Sequence, residues 1–529
     1  MFEGLMLAAE NVNLLMPISA FGIYLHAVFV SFTLGLPFVI SAFIYKWWKT
    51  KDEDYYRAAR IATGVLGVNF ALGAITGTLV EFGLVQAWPG SIYVIATVAF
   101  VPLASELIAF VGEIVFLIAF IVTLRWVKPV VSIGLMAGYF VFAALSGALI
   151  TMVNSWLNVP WGTGPLAAVL NPYLPEYGPA AYEIPVLVAV KLTLVDTLFT
   201  TGTASQILQS PEVAQAVGFS LKDPFIALQS PYAVVSVFHN VTAAIIIGIA
   251  FAAAALAIKH FRTGDEKFVK LLRSIVPMLL VLVLIQPTLF GDNMGKAVAT
   301  YMPTKFAMIE GAYDTTENPL IAFLAYGDPS KPIPGFNEFK KKCDTLGDTT
   351  VENVASQVLP SYRPGPSTNI KLRDLCMQSL AEAEVRIPLI NASYVVKIGS
   401  GVIAFVAAIA LAATVYDVKG LTKVAKALER PFGRKKFLLL LTLLIVIGSV
   451  LPSSLGWFIR EVGRKPWTVY GLLTPNELVT PVPVSFETMA LFTLAFGAMA
   501  FGGMYGMYLV AAKPLEFVKL LRKGAGVEE

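Results

Sequence analysis

Three histidines occur in 529 residues: His26, His239 and His260. The first two lie inside long apolar stretches. The third sits in a basic run, Lys259-His260-Phe261-Arg262, that reads as a solvated helix end. An imidazole in an apolar stretch can ligate iron, carry a proton or hydrogen-bond a neighbouring helix. The acids narrow the chemistry. Glu106 and Glu113 share one apolar stretch, seven residues apart. That is close to two helical turns, which puts both carboxylates on one side, about 10 Å apart along the axis. Charge inside a bilayer is costly, so two carboxylates on one stripe suit a proton relay; two separately satisfied groups at a helix interface fit the same spacing. Glu81 and Glu487 lie nearer the ends of their stretches, within reach of headgroups.

Another group closes a later stretch, Gly-Trp-Phe-Ile-Arg-Glu-Val-Gly-Arg-Lys-Pro-Trp at 456–467. Trp457 and Glu461 stand four apart and share a helical face. Arg464 has the fork geometry to clamp a carboxylate such as a haem propionate. Trp467 is placed as an interfacial anchor. Taken alone, this is a helix end with aromatic and charged anchors.

The elements that position these groups are membrane spans. Apolar residues make up 57% of the chain and charged ones 14%, against about 45–50% and about 25% in soluble domains. A soluble core cannot hide that much apolar surface, which excludes an ordinary soluble enzyme, a nucleic-acid binder and a disordered chain. A span takes about 20 mostly apolar residues. Nine stretches qualify, at roughly 15–45, 61–87, 92–124, 129–153, 231–258, 274–291, 388–416, 437–459 and 484–512. The expected fold is an all-α polytopic membrane protein of about nine transmembrane helices, with the N-terminus outside and the C-terminus inside. Residues 1–291 then hold six spans and a long outer loop at 154–230. Residues 292–386 form a second outer loop, an ordered cap without a core of its own. Residues 387–529 hold three spans and an inner tail.

Orientation rests on charge. With the N-terminus outside, the short inner loops and the tail carry 23 of the 39 Lys and Arg residues, as inside loops usually do. The first stretch is too long, and lacks the basic start, for a cleavable signal. The segment 184–199, with Lys191 and Asp196, reads as a partly buried piece of the first loop, with a re-entrant piece as the alternative. The two cysteines, Cys343 and Cys376, both fall in the second loop. The outer side permits a disulfide there; two separate thiols are the alternative.

Together these pieces resemble subunit I of the cytochrome bd family of quinol oxidases, over nearly the whole chain. His26-Ala27-Val28-Phe29-Val30-Ser31-Phe32-Thr33-Leu34-Gly35 is similar to the family's first-helix histidine motif. Gly67-Val68-Asn69-Phe70-Ala71-Leu72-Gly73-Ala74-Ile75-Thr76-Gly77, running on to Glu81-Phe82, is similar to its second-helix signature. The run Gly463-Arg464-Lys465-Pro466-Trp467 differs by one residue from the family's Gly-Arg-Gln-Pro-Trp, and Gly291-Asp292 through Lys305 and Glu310 resembles the start of its quinol-binding loop.

The resemblance implies roles. His239 is similar to the axial ligand of a low-spin haem b. His26 is similar to a ligand of a high-spin haem, haem d or a third haem b. Glu461 is similar to the carboxylate ligand of a high-spin haem b, with Trp457 beside it. Glu113 matches the family's proton-gating glutamate, with Glu106 and Glu81 as further candidate proton-handling acids, and Lys305 and Glu310 match the pair linked to quinol oxidation. Asn154 and Trp156 match the polar pair ending the fourth helix. Implied partners are a second membrane subunit, a membrane quinol and dioxygen, with no nucleic acid, in the cell membrane of a prokaryote. The implied activity passes electrons from quinol to dioxygen, gives water, and draws protons from inside.

Departures matter as much. The family's seventh helix carries a methionine as second ligand of the low-spin haem, two residues after an arginine. No methionine occurs here between 378 and 488, and alignment on the glycine puts Lys397 at the methionine and Val395 at the arginine. A neutral lysine amine can ligate iron, and burial favours that form. A five-coordinate haem and a lysine–propionate pair are the rivals. The family's two glutamates stand eight residues apart, so aligning Glu113 puts Ser105 opposite the first and rotates Glu106 by about 100°. The loop at 154–230 is longer than usual and either caps the haem sites or meets a partner. Two alternatives to the oxidase stand: a divergent or degenerate paralogue with other haem content, donor or acceptor, and a proton-coupled secondary transporter.

Overall fold

A computed structural model describes residues 2–91, 95, 99–159, 225–344, 347, 348, 350, 353, 371–416, 418, 420–470, 475–514, 516 and 519. The segment 184–199 and most of the first long loop lie outside the described residues. The helices run α1 (Phe2–Thr50), α2 (Glu53–Ala87), α3 (Phe100–Thr123), α4 (Pro129–Asn158), α5 (Pro231–Thr263) and α6 (Lys267–Ile285). A π-helical turn, Gln286–Gly291, joins α6 to α7 (Asp292–Tyr301). Short helices follow: α8 (Pro303–Glu310), α9 (Pro319–Tyr326), α10 (Phe336–Asp344) and α11 (Leu372–Glu384). The rest are α12 (Ile387–Tyr416), α13 (Leu421–Glu429), α14 (Arg434–Val462), α15 (Pro475–Leu478) and α16 (Phe486–Ala512). Among the described residues there is no sheet, only isolated bridges at Thr316–Ile333 and Thr350–Lys371.

Nine helices among the described residues are long and apolar enough to cross a membrane, and they match the nine stretches in order. Backbone groups in a bilayer must be satisfied within the segment, which leaves helices as the solution for runs of this composition. Several boundaries shift, the second helix for one beginning at Glu53 rather than at 61. The first helix spans Phe2–Thr50 and absorbs Pro17 and Pro37. The described third helix starts at Phe100 rather than at 92. The sixth candidate span continues to Tyr301, because Lys296 pairs with Asp292 at 2.6 Å, one turn on; two charges that end an apolar stretch in sequence still fit a helix when paired at i,i+4.

Small residues set the closest crossings. A Cβ on Gly35 of α1 would stand 2.6 Å from Gly248 Cα on α5, and one on Gly448 of α14 would stand 2.6 Å from the Ser400 carbonyl on α12. Such backbone approach is how helices pack without a hydrophobic drive. One end of the bundle gathers basic segments: Lys270 bridges Asp52 and Asp54 at 2.6 and 2.7 Å, Lys259 caps the Ala512 carbonyl, and Arg273 caps Val415. At the other end α7–α11 pack over the helix termini. Phe306, Phe336, Phe339 and Cys343 share one apolar cluster with Tyr232, Ile387 and Ile459. Cys343 is disulfide-bonded, and the chain holds one other cysteine, Cys376.

Candidate haem and quinol site

His26 lies on α1. Its Nδ1 stands 3.2 Å from Thr76 Oγ1 on α2, and that hydroxyl already donates to the Leu72 carbonyl at 2.8 Å. A hydroxyl has one proton, so Nδ1–H donates to Thr76 and the lone pair falls on Nε2. This is how an outer partner fixes the tautomer of a metal-binding histidine. Gly77 leaves room for the ring: a Cβ there would meet His26 Cε1 at 2.9 Å.

His239 sits near the start of α5. Gln286, the first residue of the π turn, donates to the His239 carbonyl at 3.0 Å and places Nε2 3.3 Å from the ring Nδ1. The Phe290 carbonyl of the same turn also reaches the ring. A π turn turns side chains out of ordinary helical register, and such turns are frequent at functional sites. Lys397 on α12 is within electrostatic reach of His239.

The end of α14 builds a buried polar cluster. Glu461 forms an ion pair with Arg464 and accepts from Asn154 Nδ2 at 3.1 Å. Arg460 donates to Ser236 at 2.5 Å and to Ser155 at 3.0 Å. Its guanidinium lies over Trp457 at 5.1 Å and Tyr232 at 5.5 Å. Lys305 from α8 reaches in and donates to Asn158 Oδ1 at 2.8 Å and to the Arg460 carbonyl at 3.2 Å. It is 2% exposed. Burial, then Arg464 and Arg460, hold its amine well below the usual lysine range, with Glu461 opposing. Burial with Arg464 also takes Lys465 down to about 8. Four basic side chains therefore surround one carboxylate. Arg464 Nε and Nη1 and Arg460 Nε are buried with no hydrogen-bond partner among the described residues. Unpaired guanidinium N–H groups are costly when buried, and planar carboxylates are the anions they fit.

The acids form a second row. Glu113 is 5% exposed, Glu106 accepts from Ser146 at 2.7 Å, and Glu106 acts electrostatically on both Glu113 and Glu81.

Three predicted residues sit differently from expectation. Trp467 is 5% exposed, packed inside rather than at a headgroup surface. Lys305 and Glu310 part company: Lys305 is sealed in the cluster, whereas partly buried Glu310 faces Tyr394, with burial raising its pKa above the usual carboxylate range. Sequence reasoning missed Thr76, Gln286, Asn158, Ser155 and Ser236. Each is a small or neutral polar group in an apolar helix, and only the spacing Asn154, Ser155, Asn158 at one helix end gave any signal. Among the described residues no three His, Cys, Asp or Glu side chains gather to hold a bare metal ion. Single His and Glu ligands suit iron already held by a macrocycle.

The sequence model for cytochrome bd terminal oxidase subunit I matches residues 18–514. The chain belongs to that family. It is similar to cytochrome bd ubiquinol oxidase subunit 1 of Bacillus subtilis (strain 168), 24% identical over 94% of this chain and 91% of that one. It is also similar to cytochrome bd-II ubiquinol oxidase subunit 1 of Escherichia coli (strain K12), 22% identical over 92% and 91%. The structure of bd oxidase from Geobacillus thermodenitrificans shares the fold, with a TM-score of 0.65, 19% identity, and coverage of 94% of this chain and 98% of that chain. Membership makes this chain a membrane subunit of the quinol oxidase type in respiratory electron transport, a family that uses haem.

Proposed function

We propose that this bd-type subunit is an active terminal oxidase component that takes electrons from a membrane quinol and delivers them to dioxygen. Haem supplies the electron transfer and dioxygen reduction when bound, and the protein sets ligation, proton access and dryness. The observation that carries this reading is the cation-rich cluster around Glu461, whose unpartnered Arg464 and Arg460 donors suit haem propionates. His239 is assigned to a low-spin haem b, Glu461 to a high-spin haem b, and His26 to a third haem, d or b. Asn154 holds the Glu461 carboxylate, and Trp457 and Trp467 pack beside the cluster. Glu310 accepts a quinol proton at the outer face, and Lys305 links that loop to the cluster. Glu81, Glu106 and Glu113 carry protons from the inner side, since a carboxylate row inside a bundle suits a relay. The N-terminus faces outside: the basic ends of the helices lie opposite the disulfide-bonded loop, as inside-positive loops and an oxidising exterior favour. A second membrane subunit covers part of the apolar exterior.

Pyridine haemochrome analysis of the purified complex, with quinol-dependent oxygen uptake by membranes, tests this. Bound haem and oxygen uptake are the expected results. Haem without uptake supports a degenerate paralogue, and a colourless protein supports the transporter reading.

A further inference from the structure

Lys397 is the cation that the buried cluster does not absorb. It lies ten residues into α12 from Ile387, about 15 Å along the axis. That is too deep for its stem to reach the bilayer surface, as lysines near helix ends do. Its amine makes no hydrogen bond or ion pair among the described residues, and the Tyr394 ring lies 5.9 Å from Nζ to centroid. Gly456 of α14 keeps the space beside it clear: a Cβ there would lie 3.6 Å from Lys397 Nζ.

His239 lies eight residues into α5 from Pro231, about 12 Å along the axis. The starts of α5 and α12 lie at the same end of the bundle, since Tyr232 and Ile387 share one apolar cluster. The two side chains therefore sit at nearly one depth. Both helices pack along α14, which carries Gly456, and scarcely on each other, and Lys397 lies close enough to His239 to act on it electrostatically across the gap between them. The His239 ring is held by Gln286.

We infer that Lys397 supplies a neutral amine to the iron of the haem that His239 ligates, completing a nitrogen–nitrogen axial pair across the α5–α12 gap. The inference rests on the haem-oxidase reading above. An amine binds iron through its lone pair, so the ammonium proton is released when the bond forms, and no electron moves. This arrangement explains a lysine this deep with no carboxylate paired to it among the described residues. An ammonium would have to be desolvated with nothing to pair it, whereas a coordinated amine is neutral. A nitrogen donor in place of a thioether also favours the ferric state and lowers the midpoint potential, because axial ligand identity is one of the protein's levers on a haem.

The deciding measurement uses the whole complex in its native sequence. Protein grown on nitrogen-15 lysine is oxidised and examined by pulsed electron–nuclear double resonance at the low-spin ferric signal. A lysine nitrogen-15 coupling is expected; its absence overturns the inference. Two variants give a second readout. Lys397→Leu is expected to lose the low-spin signal and convert that haem to a high-spin, carbon monoxide-binding form, while Lys397→Met keeps it low-spin with an added thioether-to-iron charge-transfer band and a raised midpoint. If Lys397→Leu retains an unaltered six-coordinate low-spin haem, the lysine pairs with a propionate instead and the inference is wrong. A native complex that holds no haem at all would refute the oxidase reading itself, a distinct failure.

Discussion

Gly77→Ala is the sharpest probe of His26, because it separates what the fold needs from what a bound haem needs. The added Cβ would stand 2.9 Å from His26 Cε1 and 3.5 Å from both ring nitrogens. Carbon atoms pack at about 3.5–4.0 Å, so the ring must retreat by roughly 0.6–1.1 Å. The Nδ1 to Thr76 contact, now 3.2 Å, then passes the limit of about 3.5 Å at which a hydrogen bond is lost. In a haem-free chain the imidazole swings aside, and the cost is about 0.5–1.5 kcal/mol for one hydrogen bond. With iron on Nε2 the ring cannot swing without straining the ligand bond. Loss of an outer partner of this kind costs about 10–100-fold in metal affinity. The assay is haem stoichiometry by pyridine haemochrome, with the reduced-minus-oxidised spectrum resolved by haem, beside a thermal melt followed by circular dichroism. The expected result is selective loss or weakening of one high-spin haem, an unchanged low-spin spectrum, and a melt little altered. A variant with full haem content and an unshifted high-spin spectrum would show that His26 is not an iron ligand, whatever its effect on activity.

Three further outcomes are expected. Replacing Arg464 by Leu removes the ion-pair partner of Glu461; the high-spin spectrum and the melt should both change, and Arg464→Lys should restore the charge but not the fork. Glu310 accepts a proton only when ionised, and burial raises its pKa, so the acid limb of kcat/KM for quinol should lie above the usual carboxylate range; Glu310→Gln should abolish that limb and slow turnover by about 10²–10⁴-fold. Gly248→Ala puts a methyl where α1 and α5 touch backbone to backbone, with 2.5 Å to the Ser31 carbonyl. It should destabilise the bundle by about 1–3 kcal/mol, as overpacking does, read as a lower melting temperature with ligation of His239 retained.

Much of the fold was legible in the sequence because the bilayer imposes one structure on long apolar runs. The boundary errors arise where side-chain pairing overrides hydropathy, as at Asp292 and Lys296. The ionisable residues were legible singly because there are so few of them in the spans. Their groupings were not. Lys305 lies 156 residues from Glu461 in sequence, and its place in the cluster depends on α8 folding back over the ends of α4 and α14. Nothing in a single chain marks that return. Neutral polar residues such as Thr76 and Gln286 escaped for a different reason: in apolar helices they also serve to satisfy backbone carbonyls, as Thr76 does with Leu72, so type alone does not separate an orienting group from a structural one.

The cluster also explains why the outer loop and the helix ends must be built together. Two unit charges of one sign about 4 Å apart repel by about 4 kcal/mol at an effective dielectric of 20. Lys305, Arg460, Arg464 and Lys465 converge on a single carboxylate, Glu461, and burial works against each lysine. Hydrogen bonds to Asn158, Ser155 and Ser236 satisfy donors but add no negative charge. Among the described residues the protein groups therefore leave the site short of anions, and the three guanidinium nitrogens without a partner there mark where carboxylates would enter. Two propionates would bring the count close to neutral. Because Lys305 is fixed by the Arg460 carbonyl on one side and belongs to α8 on the other, any change of charge at the cluster acts directly on the helix that carries Glu310. Charge at the helix ends and the position of Glu310 are thus linked through one short helix, α8, which carries both Lys305 and Glu310.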